Sequence, residues 1–288
     1  MKIYQNVSLY CALFSALFSP YLLANDTSDA RSLSQPRAIA QQSRPSITLY
    51  PQRIYLTDAN PTGAVTILNS GNGIGTYEID LIDFVVTDEG GYAKPETSLP
   101  TSAKPYLRYS PKKGRLKPGQ SRRILLKKKV PSSVGSGEFR SHLRILSAAA
   151  KAPSTSRDQL APKKIIAVST KIRQGISIPI IVRTGRVDAI GTFESSVLRF
   201  DEKGRLWLHL SVLREGSRSL YGNIEVMEED IRVGIANKVS VYAPNSLRHV
   251  KILLDDHTYT STKPLNIRYV SEDPEDKGDL IANTTLLR

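Results

Sequence analysis

The chain has 288 residues and carries 40 Lys and Arg against 27 Asp and Glu, which gives a formal net charge of +13. This length predicts one or two domains. With 40% hydrophobic and 23% charged residues, a packed core is feasible and wholesale disorder is excluded. The charge excess is compatible with a polyanionic partner, a membrane surface or solubility alone.

The first segment predicts a secretory signal peptide over residues 1–24. Lys2 is its only charged residue, an apolar stretch fills 7–24, and a small residue ends it. The alternative is an uncleaved membrane anchor, which is disfavoured because Pro20 breaks a helix and no stop-transfer pattern follows. Beyond this segment, no apolar run reaches the ~20 residues that a membrane-crossing helix needs.

Cys11 lies inside the predicted signal peptide and is the only cysteine of the chain. Disulfides, thiol catalysis and cysteine zinc sites are therefore excluded for the mature protein. Residues 25–45 are polar, rich in Ser and Gln and aperiodic, which predicts a flexible lead-in. Stability must then come from core burial alone, for which ~260 residues suffice.

From Ser46 onwards, short β-branched and aromatic runs alternate with Gly, Pro, Asn and Asp, which predicts an all-β sandwich. No helical pattern follows the glycine-rich GNGIG at 71–75, so it predicts a hairpin turn between AVTILN and TYEID. Residues 104–129 hold eleven Lys or Arg and no acid. We interpret them as a solvated sheet face, and the alternative is a surface for polyanions or lipid headgroups.

The strongest strand pattern covers residues 164–183, KIIAVSTKIRQGISIPIIVR. Its even positions are mostly apolar and its odd positions mostly polar, as expected for a strand with one buried face. This length is far above the usual five or six residues. The strand is therefore expected to bend at Gly175 and Pro179 or to serve two layers. The polar loop 148–163 before it is predicted to be mobile.

A connector follows the long strand, and the predicted domain boundary lies at 184–187. The first domain would span 46–185. A second series of strand patterns, with a hairpin around 201–204, would form another domain over 186–288.

No catalytic or metal-binding motif is present. The sequence has no nucleophile elbow, phosphate-binding loop or dinucleotide fingerprint. Its histidines are far apart and lack the spacing of metal ligands. The sequence therefore predicts no enzyme, no metal and no cofactor. The histidines are His142, His209, His249 and His257.

Four stretches carry a resemblance to a known family: LYPQRIYLTD, RLKPGQSRRILLKK, SGEFRSHLRI and GISIPIIVR. In this order and spacing, they resemble the N-terminal immunoglobulin-like domain of the PapD-like periplasmic chaperones of chaperone–usher pilus assembly. The resemblance covers about half of the mature chain, and residues 186–288 match with little motif support. It implies two immunoglobulin-like β-sandwich domains set at an angle.

The resemblance also implies a function. The chain would be a periplasmic chaperone of a Gram-negative bacterium that lends its long strand to incomplete pilus or fimbrial subunits and passes them to an outer-membrane usher. Main-chain hydrogen bonds would give affinity, and alternate apolar side chains would set the register. The alternative is that this apolar face covers only the protein's own core. The expected donor residues are Ile166, Val168, Ile172 and Ile176.

In this family, two cations hold the C-terminal carboxylate of the subunit in the cleft between the domains. Arg53 matches the first cation. The family has a Lys where this chain has Pro179, so Lys171 or Arg173 is expected to substitute if a bulge shifts the register. Arg183 is expected to brace the turn between the domains.

The implied partners are pilus subunits and the usher, with no nucleic acid, and self-capping as a dimer is left open. A second functional hypothesis comes from the basic stretch 104–129. Under that hypothesis, the chain is an exported β-sandwich adhesion or surface-binding module that meets anionic glycans or lipids.

Overall fold

A computed structural model describes residues 45–149, 173–256 and 261–288. The described residues are mainly strands, with a 3-10 turn at Lys104–Tyr106. The predicted all-β class is confirmed, and two β-sandwiches are present. No helix in these ranges has the length and apolar character needed to span a lipid bilayer. The predicted signal peptide and lead-in lie outside the described residues.

The first sandwich is built from two sheets, with the strand orders β1-β3-β9-β7 and β2-β11-β10-β4-β8. These are the two facing sheets of an immunoglobulin-like fold. Strands β5 and β6 form a separate two-stranded antiparallel sheet. The strands are β1 (Ile47–Tyr50), β2 (Ile54–Leu56), β3 (Thr62–Asn69), β4 (Gly75–Ile82), β5 (Val85–Val86), β6 (Tyr92–Ala93), β7 (Leu107–Ser110), β8 (Lys113–Leu116), β9 (Ser121–Lys128), β10 (Gly137–Ala149) and β11 (Arg173–Thr184).

The period-2 pattern of the strands builds the core of the first sandwich. On β9, Ile124 and Leu126 point inward and are buried, whereas Leu125 between them is 56% exposed. On the opposite sheet, Leu143 and Ile145 are buried in the same cluster. Each such side chain contributes about 1.5–3 kcal/mol relative to an exposed one.

The prediction of a hairpin at GNGIG, residues 71–75, is wrong. Strand β3 before it pairs with β1 and β9, whereas β4 after it pairs with β10 and β8, so the segment crosses from one sheet to the other. The buried Asn69 holds this crossing. Its amide donates to the carbonyls of Gly73 (2.8 Å) and Leu116 (3.0 Å), the second of which lies in the other sheet.

The second sandwich has a three-stranded sheet, β12-β13-β16, and a four-stranded sheet, β15-β14-β17-β18. Its core is a separate hydrophobic cluster that includes Leu208, Ile224 and Ile267. The predicted hairpin at 201–204 joins the first two strands. The strands are β12 (Ala189–Phe200), β13 (Leu206–Gly216), β14 (Leu220–Glu228), β15 (Ile231–Val241), β16 (Leu247–Leu253), β17 (Leu265–Ser271) and β18 (Leu280–Leu286).

The hairpin β5–β6 of the first sandwich contacts the second one. The Asn245 amide donates to the carbonyl of Val86 (2.8 Å), and the backbone N–H of His249 donates to the carbonyl of Asp88 (2.7 Å). A small cluster of Val86, Ile181 and Tyr242 is buried beside these bonds. The junction therefore combines apolar packing with hydrogen bonds.

Candidate functional site

Arg53 lies directly before β2, in the first sandwich, but its contacts come largely from the second. Its Nη2 donates to the hydroxyl of Tyr242 (2.6 Å) and to Oγ of Ser240 (3.1 Å). The Tyr221 ring stacks on the guanidinium, with 3.8 Å between Cζ and the ring centroid. The tyrosines hold the arginine in one orientation.

Within the described residues, no carboxylate lies at ion-pair distance from Arg53. Burial by itself would lower the pKa of this guanidinium, but the phenol oxygens of Tyr242, Tyr55 and Tyr221 outweigh burial and raise it. The side chain is only partly buried. A fixed, charged and accessible guanidinium without a counter-ion is well suited to bind a carboxylate.

A second guanidinium lies against the same tyrosine. Arg140, on β10, places its Cζ 3.9 Å from the ring centroid of Tyr242, and its Nη2 donates to the carbonyl of Phe84 (3.1 Å). The residue is 8% exposed, and its buried Nη1 has no hydrogen-bond partner. Burial, and in smaller part the charge of Arg53, lowers the pKa of Arg140. Arg140 belongs to the stretch SGEFRSHLRI, from which no role was predicted for it.

His142 follows Arg140 on β10, two residues further along the strand. It lies opposite Pro179 of β11 and contacts the rings of Phe84 and Tyr92 edge to face, with centroids 4.9 and 5.6 Å away. Burial and the nearby arginine charges lower the pKa of His142 to about 3. It is therefore neutral at physiological pH. Neither residue of this cross-strand pair supplies a positive charge.

Arg183 is the last but one residue of β11 and is bound by carboxylates of both sandwiches. Its Nε donates to Glu138 (3.0 Å), and its Nη1 donates to Asp273 (2.9 Å) and Glu275 (2.8 Å). Burial alone would lower the pKa of Arg183, but the hydrogen bond to Asp273 and the carboxylate charges raise it. Glu138 also accepts from the backbone N–H of Ser219 (3.1 Å). The residue thus has the bracing role expected for it.

Strand β11 has an open edge. On one side it pairs with β10 along its whole length, from Arg173 opposite Ala148 to Thr184 opposite Gly137. On the other side, only residues 180–182 pair, in parallel, with β2. Residues 173–179 therefore have no second neighbouring strand among the described residues, and their outward backbone groups can pair with an added strand.

The structure describes only part of the predicted donor strand. Ile176 lies on the same face as Ile178 and Ile180, which are buried in the core of the first sandwich, and it is itself partly buried. Its cross-strand neighbour is the buried Ile145. Ile176 therefore continues the row of apolar side chains that Ile178 and Ile180 form on this face.

Several predicted site residues fall outside this description. The donor residues Ile166, Val168 and Ile172, the cation Lys171 and the loop 148–163 beyond β10 lie outside the described residues. Arg173 is placed at the start of β11, opposite Ala148, with its backbone alone described.

The basic stretch 104–129 divides between a buried lysine and an exposed face. Lys128 is 8% exposed and donates to Asp58 and to the carbonyl of Arg183. Arg123 and Lys127 are exposed on the outward side of β9. Within the described ranges, no group of His, Cys, Asp or Glu side chains is arranged to hold a metal ion.

No protein-family model matches the chain, and no curated protein matches it. It is similar to several solved structures. With the YadV chaperone it shares 11% identity over 83% of this chain and 99% of that one, at a TM-score of 0.45. With a chain of the CsuC–CsuE chaperone–tip adhesion subunit complex of Acinetobacter baumannii, it shares 14% identity over 83% of this chain and 97% of that one. The TM-score is 0.43.

A third similar structure is the SafA pilin in complex with the SafB chaperone of Salmonella enterica. The identity is 12%, the coverage is 84% of this chain and 96% of that chain, and the TM-score is 0.42. Each of these structures is, or contains, a chaperone. This is the class of protein that the sequence motifs resemble.

Proposed function

We propose that the chain is a non-enzymatic periplasmic chaperone that binds pilus subunits by β-strand addition and delivers them to an outer-membrane usher. The observation that carries the proposal is the open edge of β11 beside Arg53, a guanidinium without a carboxylate partner. The two sandwiches would correspond to domains 46–185 and 186–288.

Strand addition needs free backbone groups and a face of alternating apolar side chains. The open stretch 173–179 supplies the first requirement. The alternation that buries Ile178 and Ile180 continues in the sequence towards the N-terminus of the long strand. We propose that this continuation fills the groove of an incomplete subunit, with the donors Ile166, Val168, Ile172 and Ile176.

Arg53 would hold the C-terminal carboxylate of the subunit. Tyr242 and Tyr221 already fix its guanidinium, so little side-chain entropy is lost when the carboxylate arrives. A charge-assisted hydrogen bond of this kind contributes about 1.5–3 kcal/mol. Lys171 and Arg173 remain proposed partners of Arg53 on the long strand.

Co-expression with a pilus subunit, followed by co-purification, tests the anchor. Arg53→Ala should reduce the recovered complex at least about tenfold, because one charge-assisted bond is lost. Arg144→Ala is the matched control, since Arg144 lies on an exposed part of β10 and pairs with Asp80 (2.9 Å). Undiminished capture by a folded Arg53→Ala variant would contradict the anchor.

A second pair of variants tests strand addition. Val168→Asp places a charge on the proposed donor face and should reduce capture strongly. Ser169→Asp places the same charge on the opposite face and should leave capture near the wild-type level. Equal capture by both variants would contradict donation by the even-numbered face.

A further inference from the structure

The outward side of the sheet β1-β3-β9-β7 carries positive charge without any acid. None of its four strands contains Asp or Glu. On β9, Arg123 and Lys127 are exposed on either side of the outward-pointing Leu125. Arg108 of β7 is exposed and lies opposite Lys127 on the same side. We call these four outward residues the basic face.

Apolar surface lies among these cations. Leu125 is 56% exposed, and Tyr50, at the end of β1, is 76% exposed. Tyr50 lies opposite Thr66 of β3, and Thr66 lies opposite Arg123, so the three residues form one row across the sheet. An open groove of about 550 Å³ crosses the basic face, and all four of its residues line the groove. Exposed apolar surface beside charged residues is typical of a site of interaction.

The charges of the basic face are not balanced by neighbouring carboxylates. Within the described part of the chain, Arg108, Arg123 and Lys127 have no Asp or Glu at ion-pair distance. Nη1 of Arg108 donates to carbonyls of its own segment, those of Pro105 (3.2 Å) and Leu107 (2.9 Å). A partner of this face would therefore have to supply the negative charge.

The backbone of β9 is not available to such a partner. Around Leu125 it pairs with β3 on one side and with β7 on the other. A partner therefore meets side chains alone, through charge attraction and apolar contact, which have little directionality. A fluid lipid surface needs no more than this, whereas an extended acidic peptide gains its affinity from main-chain hydrogen bonds. Arginine and lysine stems also cover apolar surface while their charged ends reach outward.

We propose that the basic face binds a membrane surface that contains anionic phospholipids. The phosphates of the headgroups contact Arg108, Arg123 and Lys127, and the side chains of Leu125 and Tyr50 lie at the level of the headgroups. This activity goes beyond the capture of subunits. The basic face belongs to one sheet of the first sandwich and β11 to the other, so the open edge stays available while the face is bound.

Vesicle flotation with the purified protein tests the proposal. The protein should bind vesicles of an equimolar mixture of phosphatidylglycerol and phosphatidylcholine, and it should bind pure phosphatidylcholine at least about tenfold more weakly. The variant with Arg108→Gln, Arg123→Gln and Lys127→Gln should bind the mixed vesicles about 100-fold more weakly, because each cation near an anionic surface contributes about fivefold. Leu125→Gln should weaken the same binding about tenfold, because an apolar contact with the lipid is lost.

The control variant removes the same charge from the second sandwich. Arg199→Gln, Lys203→Gln and Lys251→Gln change three exposed cations there and should leave most of the binding intact. An equal loss in both triple variants would reduce the effect to net charge and overturn the proposal. Wild-type protein that leaves the mixed vesicles unbound would overturn it as well, and binding of soluble polyglutamate in that case would assign the face to an acidic protein. Neither outcome affects the proposed capture of subunits, which depends on β11 and Arg53.

Discussion

Arg183→Met should destabilise the protein by about 3–5 kcal/mol, the usual cost of removing one partner from a buried ion pair. The side chains of Arg183, Glu138 and Asp273 are each at most 3% exposed. Methionine fills a similar volume, but it leaves the buried Glu138 without a cation and Asp273 with only the longer contact to Arg218 (3.8 Å). The bond to Glu275 adds little, because that carboxylate is 46% exposed.

Urea unfolding followed by two probes measures this effect. Trp207 is the single tryptophan and reports on the second sandwich, whereas circular dichroism reports on both. Because Arg183 joins carboxylates of both sandwiches, the two transitions should coincide in the wild type and separate in the variant. Arg144→Met is the control, since its pair with Asp80 is exposed and is expected to contribute at most about 1 kcal/mol.

A third variant sharpens the test. Adding Glu138→Gln and Asp273→Asn to Arg183→Met should recover part of the lost stability, because neutral amides are less costly to bury than unpaired carboxylates. A loss below about 1 kcal/mol for Arg183→Met, with coincident transitions, would refute the reasoning that this network couples the sandwiches.

Three further predictions concern stability. In the folded state the pKa of His142 falls from 6.5 to about 3, so the unfolded state binds the proton more tightly. The free energy of unfolding should therefore fall by about 2 kcal/mol from pH 6.5 to 4.5. Urea titrations of His142→Leu should lack this contribution. The same pH dependence of the unfolding free energy in wild type and variant would contradict a buried neutral imidazole. Leu143→Ala should lower the free energy of unfolding by about 2–5 kcal/mol. Leu125→Ala, at a position 56% exposed, should change it by no more than about 0.5 kcal/mol. Equal effects of the two substitutions in the same urea assay would contradict the buried and exposed orientations of these side chains. Gly185→Ala should lower the free energy of unfolding by more than about 1 kcal/mol, because φ is +62° at this residue and the added Cβ would lie 2.8 Å from Cβ of Ser136. A variant that unfolds thermally at the wild-type midpoint would disprove this strain.

Local patterns were sufficient to predict the strands and several turns. The alternation over 164–183 predicted which residues of β11 face inward, because the side-chain period of a strand is a local property. Ile178 and Ile180 are buried as this alternation requires. The turn at 201–204 was also readable, because Asp201 and Gly204 are turn residues by their own chemistry.

The pairing between distant strands could not be predicted from local sequence patterns. The segment 71–75 has the composition of a hairpin turn, but it crosses between sheets because the buried Asn69 side chain binds a carbonyl 47 positions away. A glycine-rich turn has the same local sequence whether the next strand pairs beside it or opposite it.

The contacts of the candidate site could not be predicted from local sequence patterns either. The family motif singled out Arg53, but its partner Tyr242 is 189 positions away, and nothing in the stretch KVSVYAP marks that tyrosine. Arg140 stands in a recognisable strand motif, yet that motif does not reveal its unpaired Nη1 or its contact with the ring of Tyr242. Such environments arise only when both sandwiches are assembled.

Under the proposed function, the open edge of β11 also offers its free backbone groups to a second copy of the chain. Backbone groups do not distinguish a subunit from a second copy of the chain, so self-association competes with capture by mass action. Pro179, at one end of the open stretch, lacks an N–H group, and the side with β2 closes again at residue 180. Only a short ladder is therefore available in the described part of the edge. Under the proposed function, a copy that makes these few bonds should be displaced readily by a subunit that also fills apolar pockets and binds Arg53.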